Sequence, residues 1–141
     1  MDSSALISEF SNVDWVALSR ARNWQAKYKM LMTWGNSLSV KPWLRQDEYL
    51  VRGCDTSLWL FSIERECRLY FAVDGDSRII KGLAALLLAH VDGATKVDIV
   101  AMDLPHLLNR FQLDHHLAPS RNNGFAALVN RVLLSAQSPN V

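Results

Sequence analysis

The most nucleophilic side chains in this sequence are two thiols, and their surroundings differ. Cys54 lies in Val51-Arg52-Gly53-Cys54-Asp55-Thr56, a polar, turn-forming stretch between two runs of strand formers. Gly53 removes bulk beside the sulfur and admits unusual backbone angles, so another molecule can approach it. Arg52 favours the thiolate and Asp55 opposes it. On residue types alone, a reactive thiol and a structural thiol tucked under the loop both stand open. Cys67 precedes Leu69, Phe71 and Val73 in strand alternation, which predicts a buried, inert side chain.

Other chemistries find less support. A dithiol redox centre favours Cys-x-x-Cys, whereas the two cysteines here are far apart. Iron–sulfur and structural zinc sites take three or four ligands, mostly thiolates. Of the four histidines, His90 is expected at a helix C-terminus, where a cation is favourable, and His115-His116 is expected on a solvated surface. No Gly-rich phosphate loop and no G-x-S-x-G motif is present. Ser120-Arg121-Asn122-Asn123-Gly124 sets a cation and weak helix formers in the first turn of a helix, against local preference. Such a segment serves a site or a close contact, and both remain open; Ser120 is the expected cap.

The elements that must position these residues follow from periodicity. A helical turn is expected at Ser3 or Ser4 and a short helix around Val13 to Leu18. Asn23 caps a clearer helix, with Trp24, Tyr28, Leu31 and Met32 on one face and Gly35 as its stop. Three strands are then predicted: Tyr49-Leu50-Val51, Leu58 to Ile63, and Leu69 to Val73, the last two joined by a Glu64-Arg65-Glu66 turn. From Ser77 the period becomes helical, and Ile79 to Leu88 is apolar on nearly all sides, predicting a buried helix that ends at Asp92-Gly93. Thr95 caps a short helix, Leu104 to Phe111 forms another, Ser120 opens a last one, and Ser138-Pro139-Asn140 is a tail. This is an α+β order, a small antiparallel three-stranded sheet packed with helices, in a single domain over residues 1–141.

Composition narrows the partners. Half of the 141 residues are apolar, which excludes intrinsic disorder. The 15 Lys and Arg balance 14 Asp and Glu in both halves of the chain, so neither nucleic acid nor an anionic membrane is an expected partner. No signal peptide or membrane span is read, and a cytoplasmic, reducing setting is expected.

Four segments together resemble the SufE/CsdE family of sulfur acceptors for cysteine desulfurases. They are Asn23-Trp24 with Lys27-Tyr28 and Gly35; Val51-x-Gly53-Cys54-x-x-x-x-Trp59; Gly75-Asp76-Ser77-x-Ile79-Ile80-Lys81-Gly82-Leu83; and Leu117-x-Pro119-Ser120-Arg121-x-x-Gly124. Ser39 replaces a usual proline, Asn122-Asn123 replaces Ser-Gln, and Leu83 to Thr95 looks closer to the CsdE branch.

The resemblance implies a fold shared with U-type iron–sulfur scaffolds (IscU-like), without their metal ligands. It implies that Cys54 takes sulfur as a persulfide from a PLP-dependent cysteine desulfurase, SufS- or CsdA-like, stimulates that enzyme, and passes the sulfur to a downstream acceptor protein. PLP then belongs to the partner, and no cofactor or metal is expected on this chain, which is not a self-contained enzyme. Supporting or partner-binding roles fall to Arg52, Gly53, Asp76 and Arg121; Arg121 would lie near the loop and help hold the thiolate or persulfide anion, and Asp76 and Ser77 would also cap the buried helix. The competing readings are a protein–protein adaptor with an incidental cysteine and a metal-binding assembly scaffold.

Overall fold

A computed structural model describes residues 8–137. The turn expected at Ser3 or Ser4 and the tail at Ser138-Pro139-Asn140 lie outside them. Helix α1 (Trp15–Arg20) begins where the Asp14 carboxylate accepts the Ala17 N–H at 3.0 Å, and α2 (Trp24–Ser37) where Asn23 accepts the Ala26 N–H at 2.9 Å. Gly35 does not stop α2, which runs on to Ser37. Its role is a helix crossing: a Cβ there would strike the Arg78 carbonyl, and a Cβ on Gly82 would strike that of Leu31, so α2 and α3 (Arg78–Val91) meet backbone to backbone.

Helix α3 is the buried element that its sequence predicts. Ser77 caps it by accepting the Ile80 N–H at 3.4 Å, and nine of its residues are buried, including Leu83, Leu86 and Leu87. Burying each such leucine contributes about 2 kcal/mol relative to leaving it in water. Helix α4 (Lys96–Ala101) is capped by Thr95. The helix expected over Leu104 to Phe111 divides into a 3-10 turn at Leu104–His106 and the short α5 (Leu107–Arg110). The last helix, α6 (Pro119–Gln137), starts before Ser120: the Ala118 carbonyl accepts the N–H groups of Arg121 and Asn122 at 2.9 and 3.2 Å, so Ser120 is inside the first turn.

The sheet has two strands, not the three that the sequence predicts. β1 (Leu58–Arg65) pairs antiparallel with β2 (Arg68–Gly75), in register from Leu58 opposite Gly75 to Arg65 opposite Arg68. The segment expected as a third strand begins instead with a 3-10 turn at Asp47–Tyr49, and only a single bridge, Leu50 to Trp59, with the Val51 N–H donating to the Leu58 carbonyl, ties it to β1. Gly53, at φ 93°, then turns the chain away before a ladder can form. The α+β class holds, and helix α3 packs on β2 at the hairpin face carrying Leu58, Leu60, Leu69, Phe71 and Val73, where Ser62 also meets Ser135 of α6 at 3.1 Å.

One further expectation fails for a local reason. The hairpin turn is Glu66-Cys67, with φ of 51° and 67°, so Cys67 belongs to the left-handed turn and not to the alternation of β2; its side chain is exposed. His90 lies in the last turn of α3, as expected. Burial, together with the nearby Arg110, lowers its pKa below 6.5, against the opposing bond from Nδ1–H to the Leu86 carbonyl, and its ring stacks on Trp15. His115 and His116 are exposed as expected, with His116 stacked on Trp24.

Candidate functional site

Cys54 sits near the tip of a loop that leaves the 3-10 turn at Asp47–Tyr49 and enters β1. The base of the loop is tied down three times. Arg131 of α6 donates to the Leu50 carbonyl at 2.9 Å, the Val51 N–H to the Leu58 carbonyl at 2.8 Å, and the Asp76 N–H to the Ser57 carbonyl at 3.1 Å. Between these anchors Arg52, Gly53 and Asp55 are exposed, while Cys54 is half-buried and packs against the core.

The sulfur is turned toward α6. A Cβ on Gly124 would lie 2.9 Å from Cys54 Sγ and 3.2 Å from Ile80 Cδ1, so only a glycine leaves the helix surface low enough for the thiol to rest on it. This is the close contact behind the irregular Ser120-to-Gly124 segment. Thr56 adds a sulfur–hydroxyl contact of 3.8 Å, and Gly53 approaches Ala127. On the solvent side, residues 50–57 line a shallow recess of about 280 Å³. Beside it runs an open groove of about 710 Å³ whose walls include Asp47, Arg52, Asn123 and Arg131.

The structure brings Arg121 to this loop, but onto a carboxylate: its Nη1 donates to Asp55 Oδ1 at 3.0 Å and Oδ2 at 3.4 Å. Asp76 is elsewhere. It pairs with Arg45 at 2.8 Å and leaves the capping of α3 to Ser77. Arg45 also donates from Nε and Nη2 to the fully buried Asp74 at 3.0 and 3.3 Å, and its guanidinium lies over the Trp59 ring at 4.6 Å. Burial alone would raise the Asp74 pKa. The bonds from Arg45 and from the N–H groups of Lys41 and Gly75 outweigh it and hold the carboxyl below its usual range. This network fastens the chain before the Cys54 loop to the open end of the hairpin, where β1 begins and β2 ends.

What the arrangement can do is present one half-buried thiol at a protein surface. Sequence reading finds Cys54, Gly53, Arg121 and Gly124 but not the pairing of Asp55 with Arg121, nor the clasp of Arg45 on Asp74 and Trp59. Among the described residues, no group of three or more His, Cys, Asp and Glu side chains is placed to hold a metal ion, and no helix is long and apolar enough to cross a membrane.

Residues 15–136 match a protein family, SufE, described as an Fe-S metabolism associated domain. Among solved structures, the solution structure of a hypothetical protein from Thermus thermophilus superposes with a TM-score of 0.71, over 92% of this chain and 93% of that one, at 14% identity. The likeness to that structure is one of fold.

Proposed function

This chain belongs to the SufE family, and we propose that it accepts sulfur on Cys54 from a PLP-dependent cysteine desulfurase and relays it to iron–sulfur cluster assembly or another sulfur-transfer pathway. The observation that carries this reading is the placement of Cys54: a thiol near the tip of a loop anchored at both ends, resting on bare helix backbone at Gly124. A loop so built can present its sulfur to a partner and take it back.

The transfer is an exchange at sulfur. The Cys54 thiolate attacks the outer sulfur of the enzyme's persulfide in line; a bond forms between Cys54 Sγ and that sulfur, the enzyme's S–S bond breaks, and the enzyme's cysteine leaves as a thiolate. The sulfane sulfur keeps its oxidation state, so no electron donor is required. Because Sγ faces Gly124, the loop must first lift off α6.

The Leu83-to-Thr95 stretch favours the CsdE branch and hence a CsdA-like partner, with SufS-like enzymes as the alternative. A cytoplasmic setting suits a carrier whose thiol must stay reduced.

The test is incubation with desulfurase and cysteine in the absence of reductant. The wild-type chain gains about 32 Da per sulfur accepted, and Cys54→Ser gains nothing while keeping its melting temperature. A Cys54→Ser chain that still gains this mass moves the acceptor elsewhere, and a wild-type chain that gains none favours the adaptor. Co-purification with each desulfurase, and sulfide release with and without this chain, identify the partner and its stimulation.

A further inference from the structure

The loop carrying Cys54 is firmly held at its base and lightly held at its tip. Three contacts join the tip to α6: the sulfur over Gly124, Gly53 beside Ala127, and the Arg121 guanidinium on the Asp55 carboxylate. The first two are van der Waals contacts. The third is a directional bond between charges, and it links the residue after Cys54 to the residue one helical turn before Gly124. Lifting the sulfur off Gly124 carries Asp55 away from Arg121.

We propose that the Asp55–Arg121 ion pair is the latch that sets how often the Cys54 loop opens, which makes Asp55 a positioning residue of the sulfur-transfer site. The proposal rests on the reading of Cys54 as the acceptor. The pair's exposure suits a latch: the Asp55 side chain is 51% exposed and that of Arg121 26%, so solvent weakens their attraction and the bond can yield to a partner. A half-exposed pair of this kind shifts a closed–open equilibrium by about two- to fivefold. Salt screens it further.

The latch is read by alkylation of Cys54 with iodoacetamide in a Cys67→Ser background, because the exposed Cys67 would otherwise react as well. Rates are taken on the high-pH plateau of the rate profile, where they report exposure of the sulfur. Asp55→Asn and Arg121→Met should each speed alkylation by about two- to fivefold, and the double variant should be no faster than either, since one bond is lost in all three. Asp55→Glu should restore much of the slow rate. Raising salt should speed the parent and leave Asp55→Asn unchanged.

Single variants that move in opposite directions would overturn the latch and place Arg121 on the sulfur. Parental rates in both variants, or effects that multiply in the double variant, would overturn it too. Sulfur uptake in the desulfurase assay separates the two ideas. Uptake by the parent with Asp55→Asn alkylating at the parental rate sinks the latch alone. No uptake, with the predicted alkylation pattern, sinks the acceptor reading and keeps the latch as a property of the loop.

Discussion

Cys54 Sγ rests in the space that a side chain on Gly124 would fill, 2.9 Å from where its Cβ would stand. A methyl group there displaces the sulfur, the far end of a short side chain, in preference to the backbone of α6. Gly124→Ala should therefore speed Cys54 alkylation several-fold while sulfur acceptance persists. Melting should change little, because alanine's better helix propensity, about 1 kcal/mol, offsets the lost contact. An alkylation rate equal to the parent's would show that the thiol does not rest on α6.

Cys67 occupies a solvent-exposed left-handed turn at the end of β1 away from the Cys54 loop, so it should not support the core, and it stands apart from the surface that presents Cys54, so it should not accept sulfur. Cys67→Ser should keep full sulfur acceptance and shift stability by less than about 0.5 kcal/mol. Cys67→Gly should raise the melting temperature, by relieving a backbone cost of about 1 kcal/mol. Mass tagging of the native chain should mark Cys67 rapidly and Cys54 slowly. A melting loss in Cys67→Ser comparable to a core truncation would contradict its place in the turn.

Asp74 is fully buried and fastened by Arg45 and two backbone N–H groups. Asp74→Asn sets an amide N–H where one of these donors now points, and should cost about 2 kcal/mol. The pH dependence has a definite sign. The folded pKa lies below the ordinary 3.8, so Asp74 contributes stability above that pH and loses it as pH falls toward the folded value. The difference in unfolding free energy between wild type and Asp74→Asn should narrow in that acid range; a constant difference would contradict the assigned shift.

His90 acts in a separate window. Its folded pKa is lowered, so below 6.5 the unfolded chain takes up a proton that the folded chain resists. Stability is complete above pH 6.5 and declines as pH falls toward the folded value. His90→Phe, which keeps a ring beside Trp15, should flatten the melting temperature between pH 7 and the acid side of this window. Parallel curves for the two proteins would contradict the lowered pKa of His90.

Helices with local signals are legible in the sequence. Asn23, Ser77 and Thr95 announce their helices by cap chemistry, and the unbroken apolar run of α3 announces its burial. Elements whose form depends on distant backbone are not. Gly35 looks like a stop but is kept small by α3, and Leu50 looks like strand but finds a single bridge before Gly53 turns the chain. Cys67 breaks its expected phase, because a two-residue turn ends the alternation one residue later than the charge run suggests. At the site, Cys54 and Gly53 stand out through local composition. The bond from Arg121 to Asp55 spans 66 positions and has no local signature.

The anchors of the Cys54 loop also define its reach. With Val51 and Ser57 both held to neighbouring backbone, only five residues are free to extend, and at about 3.4 Å per residue the tip of such a loop stands at most about 10 Å beyond its anchors. If Cys54 is the acceptor proposed above, a donor sulfur is within reach only on a partner that carries it near its own surface, at the end of a short and open approach. On the proposed reading, a thiol recessed more deeply would lie outside this protein's range, whatever its reactivity, and the length of one loop would act as a depth gauge among sulfur donors.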